Sequence, residues 1–145
     1  MLILFVCTGN TCRSPMAAAI FADILKKRGV KNIECESAGI AAAGGAPAAG
    51  NAAAVMGEMG PDISAHRSRG ITEDMLQKAD LIVCMSQGHA ELLKKHTDET
   101  KLRLLGGGVP DPFGGDTDIY RACRDAMIPA LQKLADEIEN GEDNK

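Results

Sequence analysis

Residues 2–15 read LILFVCTGNTCRSP, and this stretch predicts a strand, a tight loop and the first turn of a helix. Residues 2–6 are continuously apolar, as in a parallel strand that is buried on both faces. Ser14-Pro15 predicts a helix start, because proline is tolerated in a first turn, where its missing N–H would have no intrahelical partner. The loop from Cys7 to Ser14 therefore lies at the carboxyl end of the strand.

The rest of the chain alternates predicted strands with predicted helices. Further strands are predicted at residues 33–37, 81–85 and 101–105. The first predicted helix begins at Ser14, and the second carries Val55 and Met56 and stops at Gly60-Pro61. Two shorter helices follow the caps Thr72 and Ser86. The last helix spans 117–139, with a kink expected at Pro129. This alternation predicts one α/β domain over residues 1–145. Its four-stranded parallel sheet should carry helices on both faces, in the three-layer manner of flavodoxin-like and Rossmann-like folds.

Two segments fall outside this pattern. The stretch from Ala41 to Gly50 is rich in alanine and glycine and contains no large apolar side chain, so we predict a mobile loop there. The acidic residues 139–145 are expected to form a frayed tail.

Composition excludes several classes of protein. The net charge of −4, with Lys and Arg scattered among acids, disfavours nucleic acid as a partner. Apolar runs stay shorter than the roughly 18 residues of a membrane span, and no signal peptide is predicted. Five cysteines without a secretory signal indicate reduced thiols and a cytoplasmic location. No His/Cys cluster has the spacing of zinc ligands, so we expect no metal and no cofactor.

The loop after the first strand has the composition of an anion site. Its backbone N–H groups should converge on one point, where the following helix dipole also attracts negative charge. Gly9 and Asn10 tolerate the left-handed backbone that such convergence needs. Arg13 can donate to two phosphoryl oxygens, and Cys7 faces the same point as a potential nucleophile.

Two alternative interpretations of this loop are less consistent with the whole pattern of residues. A lone cysteine at the end of a strand is more often a small buried apolar residue. Here, however, Cys7 is followed after five residues by Arg13-Ser14, between a strand and a helix, which favours the nucleophile. A nucleotide-binding loop would end in Gly-Lys-Ser/Thr, and this one does not.

The segment from Val6 to Ala17 resembles the signature of the low-molecular-weight protein tyrosine phosphatase family. The resemblance extends to Ser37-Ala38-Gly39, Ala79-Asp80-Leu81 and Asp111-Pro112-Phe113-Gly114-Gly115, and so covers nearly the whole chain. It implies a phosphatase that forms a cysteinyl-phosphate intermediate on Cys7, with Arg13 and Asp111 completing the catalytic set. Asp111 would be the general acid, and later the base that activates water.

The same resemblance assigns roles to further residues. The residues expected to bind the substrate are Thr8, Gly9, Asn10, Thr11, Cys12, Ser14 and Phe113. Ser37 and His66 would hold Asn10, and Ser14 would stabilise the Cys7 thiolate. Cys12 would either trap an oxidised Cys7 as a reversible disulfide or merely fit its site by size. Cys35, Cys84 and Cys123 are predicted core residues without chemistry.

The resemblance implies phosphorylated proteins as partners, and phosphate or other oxyanions as loop ligands. Thr11 and the run from Asp111 to Tyr120 resemble the bacterial protein-arginine phosphatase branch, which favours phosphoarginine as the substrate. Tyrosine-directed members often carry paired tyrosines where this chain has Phe113 and Gly114, but phosphotyrosine remains the alternative. An arsenate reductase would need a relay of further cysteines, and only Cys84 lies in that region. A binding module without activity is disfavoured because both Cys7 and Asp111 are present.

Overall fold

The core of the computed structural model, which describes residues 1–141, is a sheet of four parallel strands. The strands are β1 (Leu2–Cys7), β2 (Glu34–Gly39), β3 (Leu81–Cys84) and β4 (Leu102–Leu104). They lie in the order β2-β1-β3-β4. The predicted α/β fold is confirmed, although β2 reaches two residues beyond its predicted end and β4 is shorter than expected.

Five helices connect and cover these strands in the described part of the chain. They are α1 (Arg13–Lys27), α2 (Gly50–Met59), α3 (Glu73–Lys78), α4 (Gln87–Leu93) and α5 (Thr117–Glu139). The predicted caps are present: the Thr72 side chain accepts from the Met75 N–H at the start of α3, and Ser86 accepts from the His89 N–H at the start of α4. Short 3-10 turns flank β4 at Glu99–Lys101 and Leu105–Gly107.

Successive residues of β1 face opposite layers. Ile3 and Phe5 pack on one side with α1, α2 and α5. Leu4 and Val6 pack on the other side with α3 and α4. A strand covered on both faces excludes water from every side chain, which explains why the run at residues 2–6 is continuously apolar.

The alanine-rich segment before α2 is attached at several points. The Ala41 N–H donates to the Thr8 carbonyl at 2.9 Å, and the Ala49 N–H donates to the Thr11 carbonyl at 2.9 Å. Ser68 adds further bonds to the same segment. Its attachments are mostly backbone hydrogen bonds, which composition does not reveal, and they join this segment to the loop after β1.

The carboxyl-terminal helix has its predicted bounds. α5 runs from Thr117 to Glu139 and contains Pro129, where a kink stays a prediction. Glu139, expected in the frayed tail, is the last residue of this helix, and its carboxylate lies 3.6 Å from Arg28 Nη1. The other predicted tail residues from 142 onward lie outside the described part.

Gly39 closes β2 where the strand touches the loop after β1. A Cβ placed on it would lie 2.6 Å from the Thr8 carbonyl oxygen and 3.0 Å from the Asn10 nitrogen. Both neighbours are backbone atoms of the loop, so they cannot move aside without distorting it. Only glycine fits this contact.

We predict that Gly39→Ala lowers the free energy of unfolding by about 1–3 kcal/mol, because the added methyl forces the loop away from β2. Gly57→Ala is the matched control, since Gly57 lies inside α2 and a Cβ there would meet no atom within 4 Å. The control should stabilise the protein by about 0.5–1 kcal/mol, because alanine favours helix over glycine. Urea unfolding of both variants measures the difference. A Gly39→Ala protein as stable as the parent would show that the contact is loose.

Candidate active site

The candidate site lies at the carboxyl edge of the sheet, where β1 has β2 on one side and β3 on the other. The chain leaves β1 toward β2 and later returns to β3, so a cleft opens at this switch of direction. Cys7 is the last residue of β1 and is 2% exposed. Its Sγ lies 2.9 Å from Ser14 Oγ, in the first turn of α1.

Asn10 holds the shape of the loop. Its φ is +57°, in the left-handed region, and its side chain is fully buried. Its Nδ2 donates to Ser14 Oγ at 2.8 Å and to Ser37 Oγ at 3.0 Å, while its Oδ1 accepts from the Arg69 N–H at 2.9 Å. One side chain thus joins the loop to α1, to β2 and to the segment after α2.

Ser14 is placed to act on the nucleophile candidate. Because Asn10 Nδ2 can only donate, Ser14 Oγ must accept that bond. The Ser14 hydroxyl proton is then available to Cys7 Sγ. A hydrogen bond of this kind stabilises a thiolate over a thiol.

The two supporting residues expected from the sequence both contact Asn10. Ser37 accepts from its side chain. His66 reaches its backbone instead, with Nε2 2.7 Å from the Asn10 carbonyl oxygen. Of the two loop residues that tolerate a left-handed backbone, Asn10 has a positive φ and Gly9 does not. The one left-handed residue of the loop is therefore the residue with the most side-chain bonds.

Arg13 and Asp111 meet beside the loop. The Arg13 guanidinium is 5% exposed, and its Nη1 donates to the Val109 carbonyl at 2.9 Å. Its Nη2 lies 3.6 Å from Asp111 Oδ2 and 3.5 Å from Thr8 Oγ1. The Asp111 side chain is half exposed, which leaves its carboxylate accessible to a ligand.

These side chains enclose a cavity. The residues that line it are Cys7, Thr8, Gly9, Thr11, Cys12, Arg13, Asp111 and Phe113. The structure thus brings together the three expected catalytic residues and most of the expected binding residues. Asn10, Ser14, Ser37 and His66 lie behind the loop rather than on the cavity wall. Phe113 stands at the rim, 77% exposed.

Cys12 packs against α5. Its Sγ lies 3.1 Å from the Tyr120 hydroxyl, and both side chains are buried. Burial, together with the Cys12 contact, raises the pKa of Tyr120, so the phenol keeps its proton and can donate to sulfur. Burial also raises the pKa of the other thiols, to about 11 for Cys35 and Cys123 and about 12 for Cys84. These three cysteines therefore stay protonated at neutral pH.

Sequence reasoning missed several residues that complete the site. His89 contacts Thr8 with its Nε2, 2.9 Å from Thr8 Oγ1. Arg69 supplies the backbone donor for Asn10, and its guanidinium bonds to Glu36. The Ser86 cap was a signal for His89, because it places residue 89 in the first turn after β3, at the same edge of the sheet.

The described part of the chain contains neither a helix suited to span a membrane nor a candidate metal cluster. None of its helices combines the length and apolar character needed to cross a membrane. Residues 1–141 also hold no group of three or more His, Cys, Asp or Glu side chains that could bind a metal ion.

The chain is similar to known proteins along almost its whole length. Residues 2–144 match the family model of the low molecular weight phosphotyrosine protein phosphatase. A protein-arginine-phosphatase of Geobacillus stearothermophilus is 36% identical over 146 residues, covering 94% of this chain and 95% of the relative.

Solved structures agree. A YwlE arginine phosphatase mutant with a phosphorylated active site serine is 35% identical, covers 96% of each chain and has a TM-score of 0.89. A low molecular weight protein tyrosine phosphatase of T. tengcongensis is 38% identical, covers 94% of this chain and 99% of its own, and also has a TM-score of 0.89.

We predict that Asn10→Ala lowers the free energy of unfolding by about 2–4 kcal/mol. About 1–3 kcal/mol of this reflects buried partners left unpaired, and about 1 kcal/mol reflects alanine in the left-handed region. Asn32→Ala is the control, because Asn32 also has a positive φ, of +69°, but lies exposed. It should lose only the backbone contribution. Equal losses in urea unfolding would show that the Asn10 side-chain bonds add nothing.

Proposed function

The chain belongs to the low molecular weight phosphotyrosine protein phosphatase family and is a cysteine-dependent protein phosphatase, and on this premise we propose that it removes phosphate from phosphoarginine residues of proteins. The observation that carries the choice of substrate is Thr11 on the wall of the cavity, beside an exposed Phe113. Phosphotyrosine is the second candidate, because relatives of both kinds have nearly the same identity to this chain.

The first chemical step is attack by Cys7 on phosphorus. The loop N–H groups and the Arg13 guanidinium hold the phosphoryl oxygens and offset the charge that develops on them. Cys7 Sγ forms a bond to phosphorus as the bond from phosphorus to the guanidine nitrogen breaks. The electron pair of the broken bond stays on nitrogen, and the Asp111 carboxyl group supplies the proton that nitrogen takes up.

The second step regenerates the Cys7 thiolate. Asp111, now a carboxylate, accepts a proton from water as the water oxygen attacks phosphorus. The bond from sulfur to phosphorus breaks, phosphate leaves, and the Cys7 thiolate is stabilised by the Ser14 hydroxyl. The structurally similar YwlE arginine phosphatase mutant, which has a phosphorylated active site serine, supports a covalent route of this kind.

The mouth of the cavity favours a guanidine over a phenol. A phosphoarginine presents N–H donors next to its phosphoryl group, and the small Thr11 side chain has a hydroxyl that can accept a hydrogen bond from one of them. A phenol ring gains most from aromatic walls on both sides. Here the exposed ring of Phe113 can form one aromatic wall. The next residue is Gly114, so no second aromatic side chain follows it to complete a pair.

Arsenate reduction is disfavoured by the state of the remaining thiols. Such a reaction passes electrons through thiolates that can reach the first cysteine. Cys84 is fully buried inside β3, and burial raises its pKa to about 12. A protonated thiol in the core is a poor nucleophile.

We also infer the setting in which the protein acts. Phosphorylated proteins are its substrates, and phosphate or other oxyanions occupy the loop as products or inhibitors. The net charge of −4 supports a partner that is not nucleic acid. Five unpaired thiols support a reducing compartment, the cytoplasm.

Asp111→Asn should slow substrates with poor leaving groups far more than activated ones. A positioned proton donor contributes about 10²- to 10⁴-fold, and an activated aryl phosphate such as p-nitrophenyl phosphate needs less of this help. The matched control is Asp116→Asn in the same loop, because Asp116 caps α5 and asparagine caps equally well. Comparing kcat on phenyl phosphate and on p-nitrophenyl phosphate measures the effect. Equal losses on both substrates would mean that Asp111 positions the substrate without protonating it.

Thr11→Ile should shift preference from phosphoarginine toward phosphotyrosine. Isoleucine removes the hydroxyl acceptor, and an unpaired buried donor costs about 1–3 kcal/mol, or roughly 5- to 150-fold in kcat/KM. A phenol has no such donors and gains apolar contact. The parent should prefer phosphoarginine peptides over phosphotyrosine peptides, and Thr11→Ser, which keeps the hydroxyl, should retain that preference. A parent that prefers phosphotyrosine would overturn the proposed substrate, and parallel losses on both substrates would reduce Thr11 to a structural role.

A further inference from the structure

His89 is a buried polar residue that the mechanism above does not use. It lies in the first turn of α4, which follows β3, and β3 is the neighbour of β1 in the sheet. The two strands end at the same edge, so His89 reaches the residue that follows the nucleophile. The residue is 7% exposed, and its Nε2 lies 2.9 Å from Thr8 Oγ1.

The other ring nitrogen has no partner in the described part of the chain. His89 Nδ1 is buried and receives no hydrogen bond and donates none. Burial lowers the pKa of His89, and the nearby Arg13 charge lowers it further, while Asp111 acts in the opposite direction. The ring is therefore neutral at neutral pH, and a single proton resides on one of its two nitrogens.

The position of that proton decides what Thr8 can do. With the proton on Nδ1, a buried donor would be left unpaired, and Nε2 would consume the Thr8 hydroxyl proton. With the proton on Nε2, the ring donates to Thr8 Oγ1, and only an acceptor is left unpaired, which buried sites tolerate more often. Arg13 Nη2, which can only donate, approaches the same oxygen at 3.5 Å. Two donors facing one hydroxyl oxygen leave its proton free.

We propose that His89 is a positioning residue for phosphoryl transfer: it donates from Nε2 to Thr8 Oγ1 and so turns the Thr8 hydroxyl proton toward the phosphoryl group. Thr8 is exposed and lines the cavity, so its hydroxyl borders the space in which a phosphoryl group would bind. The Thr8 hydroxyl thereby becomes a further hydrogen-bond donor to the phosphoryl group, in addition to the backbone N–H groups and Arg13. The proposal rests on the proposed function only in that the phosphoryl group sits over Cys7, and it holds for phosphoarginine and phosphotyrosine alike.

The test is a double-mutant cycle with p-nitrophenyl phosphate as substrate and inorganic phosphate as inhibitor. Thr8→Val removes the hydroxyl and should lower kcat/KM by about 10- to 100-fold, the usual loss for a hydrogen bond to a charged group. Thr8→Ser keeps a hydroxyl at this position and should therefore lose less of kcat/KM than Thr8→Val. His89→Leu should lower kcat/KM by about fivefold in the parent but by less than about twofold in the Thr8→Val background, because it acts through that hydroxyl. The inhibition constant of inorganic phosphate should rise most in the variants that lose most kcat/KM.

Conservative substitutions separate positioning from packing. Glutamine places an amide nitrogen near the position of Nε2 and should restore kcat/KM, whereas asparagine places it near Nδ1 and should not. The proposal would be overturned if the two single losses of kcat/KM multiplied in the double variant. It would also be overturned if His89→Gln had no higher kcat/KM than His89→Leu at equal melting temperature. Thr8→Val with parental activity would overturn it even if His89 variants fail to fold. Should the parent not turn over phosphate esters at all, the proposed function fails, and phosphate affinity in these variants still decides the role of His89.

Discussion

The left-handed backbone at Asn10, held by its own buried side chain, is the constraint on which the site depends. A loop that aims its N–H groups at one point must turn sharply, and only one of its residues does so with a positive φ. That side chain donates hydrogen bonds to Ser14 and Ser37 and accepts one from the Arg69 N–H, and these three bonds offset the backbone strain. The shape of the loop is thus held by hydrogen bonds within the protein itself.

The same hydrogen bonds link structure to chemistry. Because Asn10 donates to Ser14, the Ser14 hydroxyl can donate to Cys7, so the side chain that shapes the loop also orients the hydroxyl beside the proposed nucleophile. The buried Arg13 is aimed by the Val109 carbonyl and meets Asp111 at the cavity wall. Parallel strands place these groups at one edge of the sheet, although they come from segments far apart in sequence.

Local signals in the sequence account for most of the fold. The apolar run of β1, the proline after Ser14 and the caps Thr72 and Ser86 act within a few residues, so their effect could be predicted. The cysteine-to-arginine spacing identified the loop for the same reason. Contacts made across the sheet could not be predicted: the His89 bond to Thr8 spans 81 positions and the Tyr120 contact with Cys12 spans 108. Local patterns place such residues on their helices and loops, but they do not say what the side chains touch.

The central claim is that phosphate passes through the sulfur of Cys7, and direct observation of the intermediate tests it. In Asp111→Asn, an activated aryl phosphate can still transfer its phosphoryl group, but the base that activates water is missing, so the intermediate should accumulate. Rapid denaturation at neutral pH, followed by mass spectrometry of the peptides, should find one phosphoryl group on Cys7. Release of the phenol with no phosphate on Cys7, or with phosphate on another residue, would contradict the account.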